Sequence, residues 1–397
     1  MTTPESGSLS PAPPLTLHDV MNAPPERQPE LNRTVDRYRP VRVFRRSDYA
    51  HPLPPAESPL DIRYRCDGGE FGIDEFIVRN RVSGLLIVKD GRIHLERYAL
   101  GNGPESRLNS FSVGKSFMST LLGAAIHQGH IRSIEEPVAK YLPQVKGSGY
   151  DLCSIRNLLE MSSGVKWEEG YRDGTSSFAR MFDAAINRRK GGIMEVMTSL
   201  PSEAPPGQRF LYNSGESHVL GELIAAATGK HIADYLAERI WSRFGMEFDG
   251  YWALESEDGQ ETTGGGVNAA LRDYGRFGLF ILADGIAAGE RNLPRGWIAE
   301  ASHPRTDSPQ VAYGLPTPGN PLGYGYQWWS FPKIAGAPHT LHHEGAFTGQ
   351  GIFGRFLYIN PRERMVAAVW SEWPDPWIEA RECETYDFLS AAIAALR

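Results

Sequence analysis

Strand-like segments stand at the two ends of this chain and helix-like segments between them, and that order constrains the fold most. Gly84-Leu85-Leu86-Ile87-Val88 and Ile93-His94-Leu95-Glu96-Arg97-Tyr98 flank an Asp90-Gly91 step, a strong signal for a two-residue hairpin turn. Residues 338–343, 350–359 and 364–371 read as consecutive antiparallel strands, with Asn360-Pro361-Arg362-Glu363 as a turn. Helical patterns fill the middle: one from Ser112, then Val138 to Pro143, Ile155 to Met161, about 217–228 and 231–243. A last amphipathic helix, about 377–396, should pack on the sheet. A sheet begun at one end must then be completed by the other. The expected fold is α/β of the α+β kind, an antiparallel sheet (about 71–105 and 260–397) flanked by helices, with an inserted mainly helical domain (about 106–259). Residues 1–60, rich in Pro, Ser and Arg and without periodicity, read as an extended N-terminal arm on a body of 61–397.

The helix from Ser112 carries chemistry. In Phe111-Ser112-Val113-Gly114-Lys115 a hydroxyl and an amine stand three residues apart, on one helix face and close enough to share a proton. Serine is a weak nucleophile until a neighbouring base takes its proton. S-x-x-K is short, and Ser163-Gly164-Val165-Lys166 and Ser330-Phe331-Pro332-Lys333 match it too. The first runs into the loop-like Trp167-Glu168-Glu169-Gly170, and Pro332 disfavours a helix in the second. Only Ser112 precedes a sustained helical pattern: Val113, Phe117, Leu121 and Ala125, with Met118, Leu122 and Ile126 beside them. On spacing alone Ser112 is either an activated nucleophile or the cap of its helix.

Other classes recede. A net charge of −7 offers nucleic acid no electrostatic attraction, and no apolar run approaches the length of a membrane span. The N-terminus has neither a basic nor an apolar signal region, so cytoplasm is the expected compartment. Cys66, Cys153 and Cys383 are too widely spaced for a disulfide framework or a zinc site, and neither a metal nor another cofactor is expected. G-x-S-x-G is absent, which argues against the strand-to-helix elbow of α/β-hydrolases.

Two further segments fit acyl transfer. Phe210-Leu211-Tyr212-Asn213-Ser214-Gly215 precedes a helix, where Tyr212 would relay protons if a nearby lysine lowered its pKa. His342-His343-Glu344-Gly345-Ala346 ends a strand, and a backbone N–H there would join that of Ser112 in binding an oxyanion. Adjacent histidines on a strand point to opposite faces, which disfavours a metal site.

With these three places in order, the chain resembles the serine β-lactamase and penicillin-binding-protein superfamily, in its class C and esterase-like branch. The family's S-x-x-K is Ser112 to Lys115, its Y-x-N is Tyr212-Asn213-Ser214, and its K-T-G strand is represented by His343-Glu344-Gly345. Val88-Lys89-Asp90-Gly91, Pro137 to Pro143 and Leu158-Leu159-Glu160-Met161-Ser162-Ser163-Gly164 also follow the family style, over roughly 80–372. Within it, Gly264-Gly265-Gly266-Val267, Gln327-Trp328-Trp329 and Ser371-Glu372-Trp373-Pro374-Asp375-Pro376 resemble 6-aminohexanoate-dimer hydrolases, amidases with esterase activity.

The resemblance implies a β-lactamase/transpeptidase-like fold and an acyl-enzyme on Ser112. Lys115 and Tyr212 would move the protons, and the N–H of Ala346, or of its neighbour Gly345, would complete the oxyanion site. Tyr171 would assist amide cleavage, and Asp183 would hold a substrate amine. The expected substrate is a small-molecule ester or linear amide, with a homodimer possible. Two departures point away from antibiotic hydrolysis. Ser214 stands where the family has an asparagine, and a hydroxyl offers fewer hydrogen bonds. His343 stands where a lysine usually attracts the β-lactam carboxylate, and it is charged only part of the time at neutral pH. A true β-lactamase or D-alanyl-D-alanine carboxypeptidase, and a non-catalytic binder on the same fold, are the rival readings.

Overall fold

The computed structural model describes residues 15–58, 60–305, 313–317, 320–331 and 343–397. The strands that frame the molecule are, in chain order, β1 (Val41–Phe44), β2 (Val82–Lys89), β3 (Arg92–Tyr98), β4 (Leu108–Asn109), β5 (Gly250–Ala253), β6 (Val267–Ala269), β7 (Tyr313–Thr317), β8 (Asn320–Tyr324), β9 (Trp329–Ser330), β10 (Phe347–Gly351), β11 (Arg355–Asn360) and β12 (Met365–Ser371). Eight of them form one antiparallel sheet in the order β7-β8-β9-β10-β11-β12-β2-β3, so the first hairpin joins the C-terminal strands edge to edge. Val88 pairs with Val366, Leu86 with Ala368 and Gly84 with Trp370. Asp90 and Gly91 both take positive φ, 51° and 74°, as the hairpin turn requires.

Both faces of this sheet are buried, and the side chains sort by the strand period of two. Leu86, Val88, Val366, Ala368 and Trp370 face one core. Leu85, Ile87, Met365, Ala367 and Val369 face the other. Burying such a side chain stabilises the fold by about 1.5–3 kcal/mol, so a one-residue slip in register would be costly.

The first core is covered by helices α1 (Gly114–His127), α2 (Ile155–Leu159), α3 (Ser177–Ile186), α4 (Gly192–Ser199), α5 (Ser214–Thr228) and α6 (Leu271–Leu282). Phe117 of α1 stacks on Phe277 of α6, with ring centroids 3.7 Å apart. Gly278 lets α6 lie against the sheet, since a Cβ there would stand 2.4 Å from Val366 Cγ1. The second core is closed by α7 (Glu379–Ala395), through Tyr386, Phe388, Leu389 and Ile393. No helix among the described residues is long and apolar enough to cross a membrane, and the three cysteines are free.

Two expectations need correction. The segment 15–58 is not merely an extended arm: it contains helices Leu17–Met21 and Gln28–Arg33, and β1 pairs with β5 at the edge of a second sheet, β1-β5-β6-β4. Its Val20, Met21 and Phe44 enter the first core. The expected single strand 350–359 is a hairpin, because Phe353 and Gly354 turn the chain with φ of 63° and 82°. The expected strand 338–343 lies, except for its last residue, outside the described residues, as does His342; His343 itself begins a short turn.

Candidate active site

Ser112 sits in a single 3₁₀ turn, Phe111–Val113, between β4 and α1. Phe111 takes φ of 43°, a conformation bulky residues avoid and one that persists only where the surroundings enforce it. Here its N–H bonds Asn109 Oδ1 at 3.0 Å, and its ring lies 5.4 Å from that of Phe353 and 5.0 Å from the Arg355 guanidinium. Arg355 is fully buried and paired with Glu372 at 2.9 Å. Strand β10 passes close behind the turn: a Cβ on Gly351 would stand 2.6 Å from Ser110 O and 3.1 Å from Ser112 N. Neither the turn nor α1 has a side-chain cap, so Ser112 is not acting as one.

Lys115, one helical turn on, is 1% exposed. Its Nζ donates to Ser112 Oγ at 2.6 Å, Gly264 O at 2.7 Å and Ser214 Oγ at 3.0 Å. Three acceptors satisfy the three N–H bonds of an ammonium. Burial nevertheless favours the neutral amine, bringing its pKa down to about 8 against the opposing pull of the Glu169 charge. The Nζ also lies 4.9 Å from the centre of the Tyr212 ring.

The Tyr212 hydroxyl hydrogen-bonds Ser112, but its pKa is raised, not lowered. Burial is the main cause and Glu169 the second, and the bond to Ser112 only partly opposes them. The expectation that the lysine would lower it therefore fails, and Tyr212 is a neutral phenol at ordinary pH. Asn213 caps α5, its Oδ1 accepting from the N–H groups of Gly215 at 2.9 Å and Glu216 at 3.2 Å. The cap fixes Tyr212 before the helix and Ser214 in its first turn.

Glu169 is the site residue that sequence reasoning missed. Its carboxylate accepts from the Ser214 N–H at 2.9 Å and from the Ser214 hydroxyl, the Trp167 indole and the Tyr171 phenol. Ser214 thus replaces an amide with a hydroxyl that receives from Lys115 and donates to Glu169. The only local signal was Glu168-Glu169-Gly170-Tyr171, read for its tyrosine alone.

The structure brings Ser112, Lys115, Tyr212, Ser214 and Tyr171 together and leaves four expected residues elsewhere. His343 is fully buried in the second core, its Nδ1 2.9 Å from Tyr358 Oη and its Nε2 3.1 Å from Tyr386 O. Gly345 lies in the turn that follows. The Ala346 N–H is already committed to His343 O at 2.8 Å. The string that matches the third motif ends before β10, and it is β10 that passes the nucleophile, with Gly351 against Ser112 and Gly349 against Ser116. Asp183 is exposed and accepts from Asn187 at 2.8 Å. It lies off the stripe Phe178, Met181, Phe182 and Ala185, which α3 turns toward Ser112.

That stripe lines a cavity of about 110 Å³ shared by Ser112, Tyr171, Ser214, Gly264 to Gly266 and Ile352. Among the described residues no cluster of three or more His, Cys, Asp and Glu is arranged to hold a metal ion.

Known proteins share this frame. The chain is 28% identical over 296 residues, 73% of its length and 72% of the relative's, to 6-aminohexanoate-dimer hydrolase of Paenarthrobacter ureafaciens. It is 25% identical to a D-aminopeptidase of Cereibacter sphaeroides over 66% of its own length and 52% of that protein's. Among solved structures, "Putative 6-aminohexanoate-dimer hydrolase from Bacillus anthracis" superposes with a TM-score of 0.81 at 24% identity, covering 98% of both chains. A family VIII carboxylesterase gives a TM-score of 0.58 at 16% identity, over 80% of this chain and 95% of that one. The model of the beta-lactamase family matches residues 74–392, from the helix before β2 almost to the end of α7 and so through Ser112, Lys115 and Tyr212, and the chain belongs to that family.

Proposed function

We propose that this protein is a serine hydrolase that cleaves a carboxylic ester or linear amide through an acyl-enzyme on Ser112. The observation that carries the reading is the 2.6 Å contact between Lys115 Nζ and Ser112 Oγ, made by an amine whose pKa is down to about 8. An amine so placed is neutral often enough near neutral pH to act as a general base.

In the first step Lys115 takes the Ser112 proton as Oγ attacks the carbonyl carbon. The negative charge that develops on the carbonyl oxygen needs two N–H donors. Ser112 N–H is one. Ile352 N–H is the second in place of Ala346, since Ile352 borders the same cavity as Ser112 and no acceptor for its N–H exists among the described residues. Tyr212, protonated and bonded to Ser112, gives its proton to the leaving oxygen or nitrogen and regains one from Lys115. Water then attacks the acyl-enzyme, losing a proton along the same path, and Ser112 Oγ leaves reprotonated. Glu169 and Ser214 hold Lys115 in register, and Tyr171 borders the bond being cleaved. The relatives, a 6-aminohexanoate-dimer hydrolase and a D-aminopeptidase, and the structural neighbour, a family VIII carboxylesterase, support this span of ester and amide chemistry.

Ser112→Ala should abolish turnover of a chromogenic short-chain ester with the fold intact, and a fluorophosphonate should label Ser112 in the parent. Undiminished turnover in the variant would overturn the assignment, and nitrocefin turnover as fast as ester turnover would favour β-lactamase chemistry.

A further inference from the structure

The cavity beside Ser112 is apolar along most of its wall, yet two polar side chains, the first poorly partnered, open into it. One is Arg39, carried by the segment that precedes β1. Its guanidinium makes one hydrogen bond, from Nη2 to the Leu254 carbonyl at 2.6 Å, while Nε is buried and meets no acceptor. No carboxylate among the described residues pairs with it. Burial draws its pKa from 12.5 to about 10, so it remains a cation at neutral pH. The other is His218 of α5, 1% exposed, its Nε2 3.8 Å from the Glu222 carboxylate and its ring against the Glu261 backbone. Burial takes its pKa down to about 4, so the ring is neutral. His218 lies four residues after Ser214, about 6 Å farther along the helix axis. The cavity therefore runs from the nucleophile along α5 toward a cation and a neutral imidazole.

A half-buried cation without a counter-charge is unfavourable, and an anion supplied by a ligand removes that penalty. The volume of about 110 Å³ exceeds the roughly 10–15 Å³ that admits one water, which suits a chain of a few carbons. Tyr212, the proposed proton donor to the leaving group, does not line this cavity. The leaving group thus lies on the Tyr212 side, and the acyl chain occupies the cavity.

We propose that the acyl part of the substrate is a short apolar chain ending in a carboxylate, bound by Arg39; this rests on the acyl-enzyme reading above. The substrate class is then the monoesters and monoamides of short dicarboxylic acids.

The test compares the mono-p-nitrophenyl ester of adipic acid with p-nitrophenyl hexanoate, whose acyl chain has the same number of carbons. The parent should favour the carboxylated ester by roughly tenfold or more in kcat/KM. Arg39→Met should erase that ratio and Arg39→Lys should restore part of it. In parallel, calorimetry on Ser112→Ala should show adipate binding more tightly than hexanoate, with the preference lost in Ser112→Ala/Arg39→Met. Equal handling of the two esters by the parent, or a preference that survives Arg39→Met, overturns the proposal. If neither ester is cleaved, the hydrolase reading fails on its own. The adipate preference in Ser112→Ala then still supports the carboxylate site, and equal binding of the two acids overturns it.

Discussion

The Glu169 carboxylate receives both the backbone N–H and the hydroxyl of Ser214, and that hydroxyl in turn accepts from Lys115. A negative charge thus stands one hydroxyl away from the amine that must lose its proton. Its field favours the ammonium and burial favours the amine; burial wins, at about 8.

This opposition sets the pH dependence. In the parent, kcat/KM should rise with pH through about 8 as Lys115 becomes neutral. Glu169→Gln keeps an acceptor for Ser214 but removes the charge that raises the lysine, so the rising limb should move to lower pH. A pH–rate profile of both proteins checks this. A limb that stays put, or moves upward, would show that Glu169 does not act on Lys115.

The same burial makes Lys115 a liability for the fold. Its folded pKa lies below the ordinary 10.5, so between about 8 and 10.5 the unfolded chain binds a proton that the folded one does not. Stability should therefore rise with pH across that window, and below about 8 the penalty is fully present. Lys115→Met should end turnover while stabilising the protein at pH 7 by about 1–3 kcal/mol. Denaturant unfolding at pH 7 and pH 10 measures both parts, and the gain should shrink at the higher pH.

How far the site is legible in the sequence depends on distance along the chain. Ser112 and Lys115 are readable because three residues on a helix determine their approach. Tyr212 is readable only through its place in an ordered set. Glu169 is not, because its partner Ser214 lies 45 residues away, beyond α3 and α4. The large sheet follows from the strands at both ends, but the turn at Phe353–Gly354 is hidden inside an apolar run. The string His343-Glu344-Gly345 resembles the third motif, yet it ends before β10, the strand beside the nucleophile. Asp183 follows from the resemblance alone, although the spacing of Phe178, Met181, Phe182 and Ala185 already sets it outside the apolar face of α3.

The displaced His343 gives a discriminating variant. Its bonds to Tyr358 and the Tyr386 carbonyl lie in the second core, among residues that do not border the cavity. His343→Leu should lower stability by about 1–3 kcal/mol, because Tyr358 loses one of its two hydroxyl partners, keeping Asn360, and the Tyr386 carbonyl loses the imidazole. At a temperature where the variant is folded, kcat should stay within about twofold, because a change away from the reacting groups leaves transition-state binding intact. A large loss of kcat at unchanged stability would return His343 to the site.

Arg355 and Glu372 tie the fold to the nucleophile. Both are buried, and the pair stands under Phe111, the left-handed residue just before Ser112. Glu372 also accepts from Asn32 at 2.7 Å and Ser83 at 3.2 Å, so it joins the N-terminal segment, β2 and β11. Arg355→Met strands the carboxylate without its counter-charge and should destabilise the protein by about 3–5 kcal/mol. Removing both charges, Arg355→Met with Glu372→Met, should recover part of that loss, since the stranded charge and not the missing contact accounts for most of it. Neither variant should recover full kcat, because Phe111 loses the guanidinium beneath its ring and Ser112 its fixed position. Denaturant midpoints for the two single variants and the double, with kcat for each, decide the matter: a double variant no more stable than Arg355→Met would mean that the pair acts through packing alone.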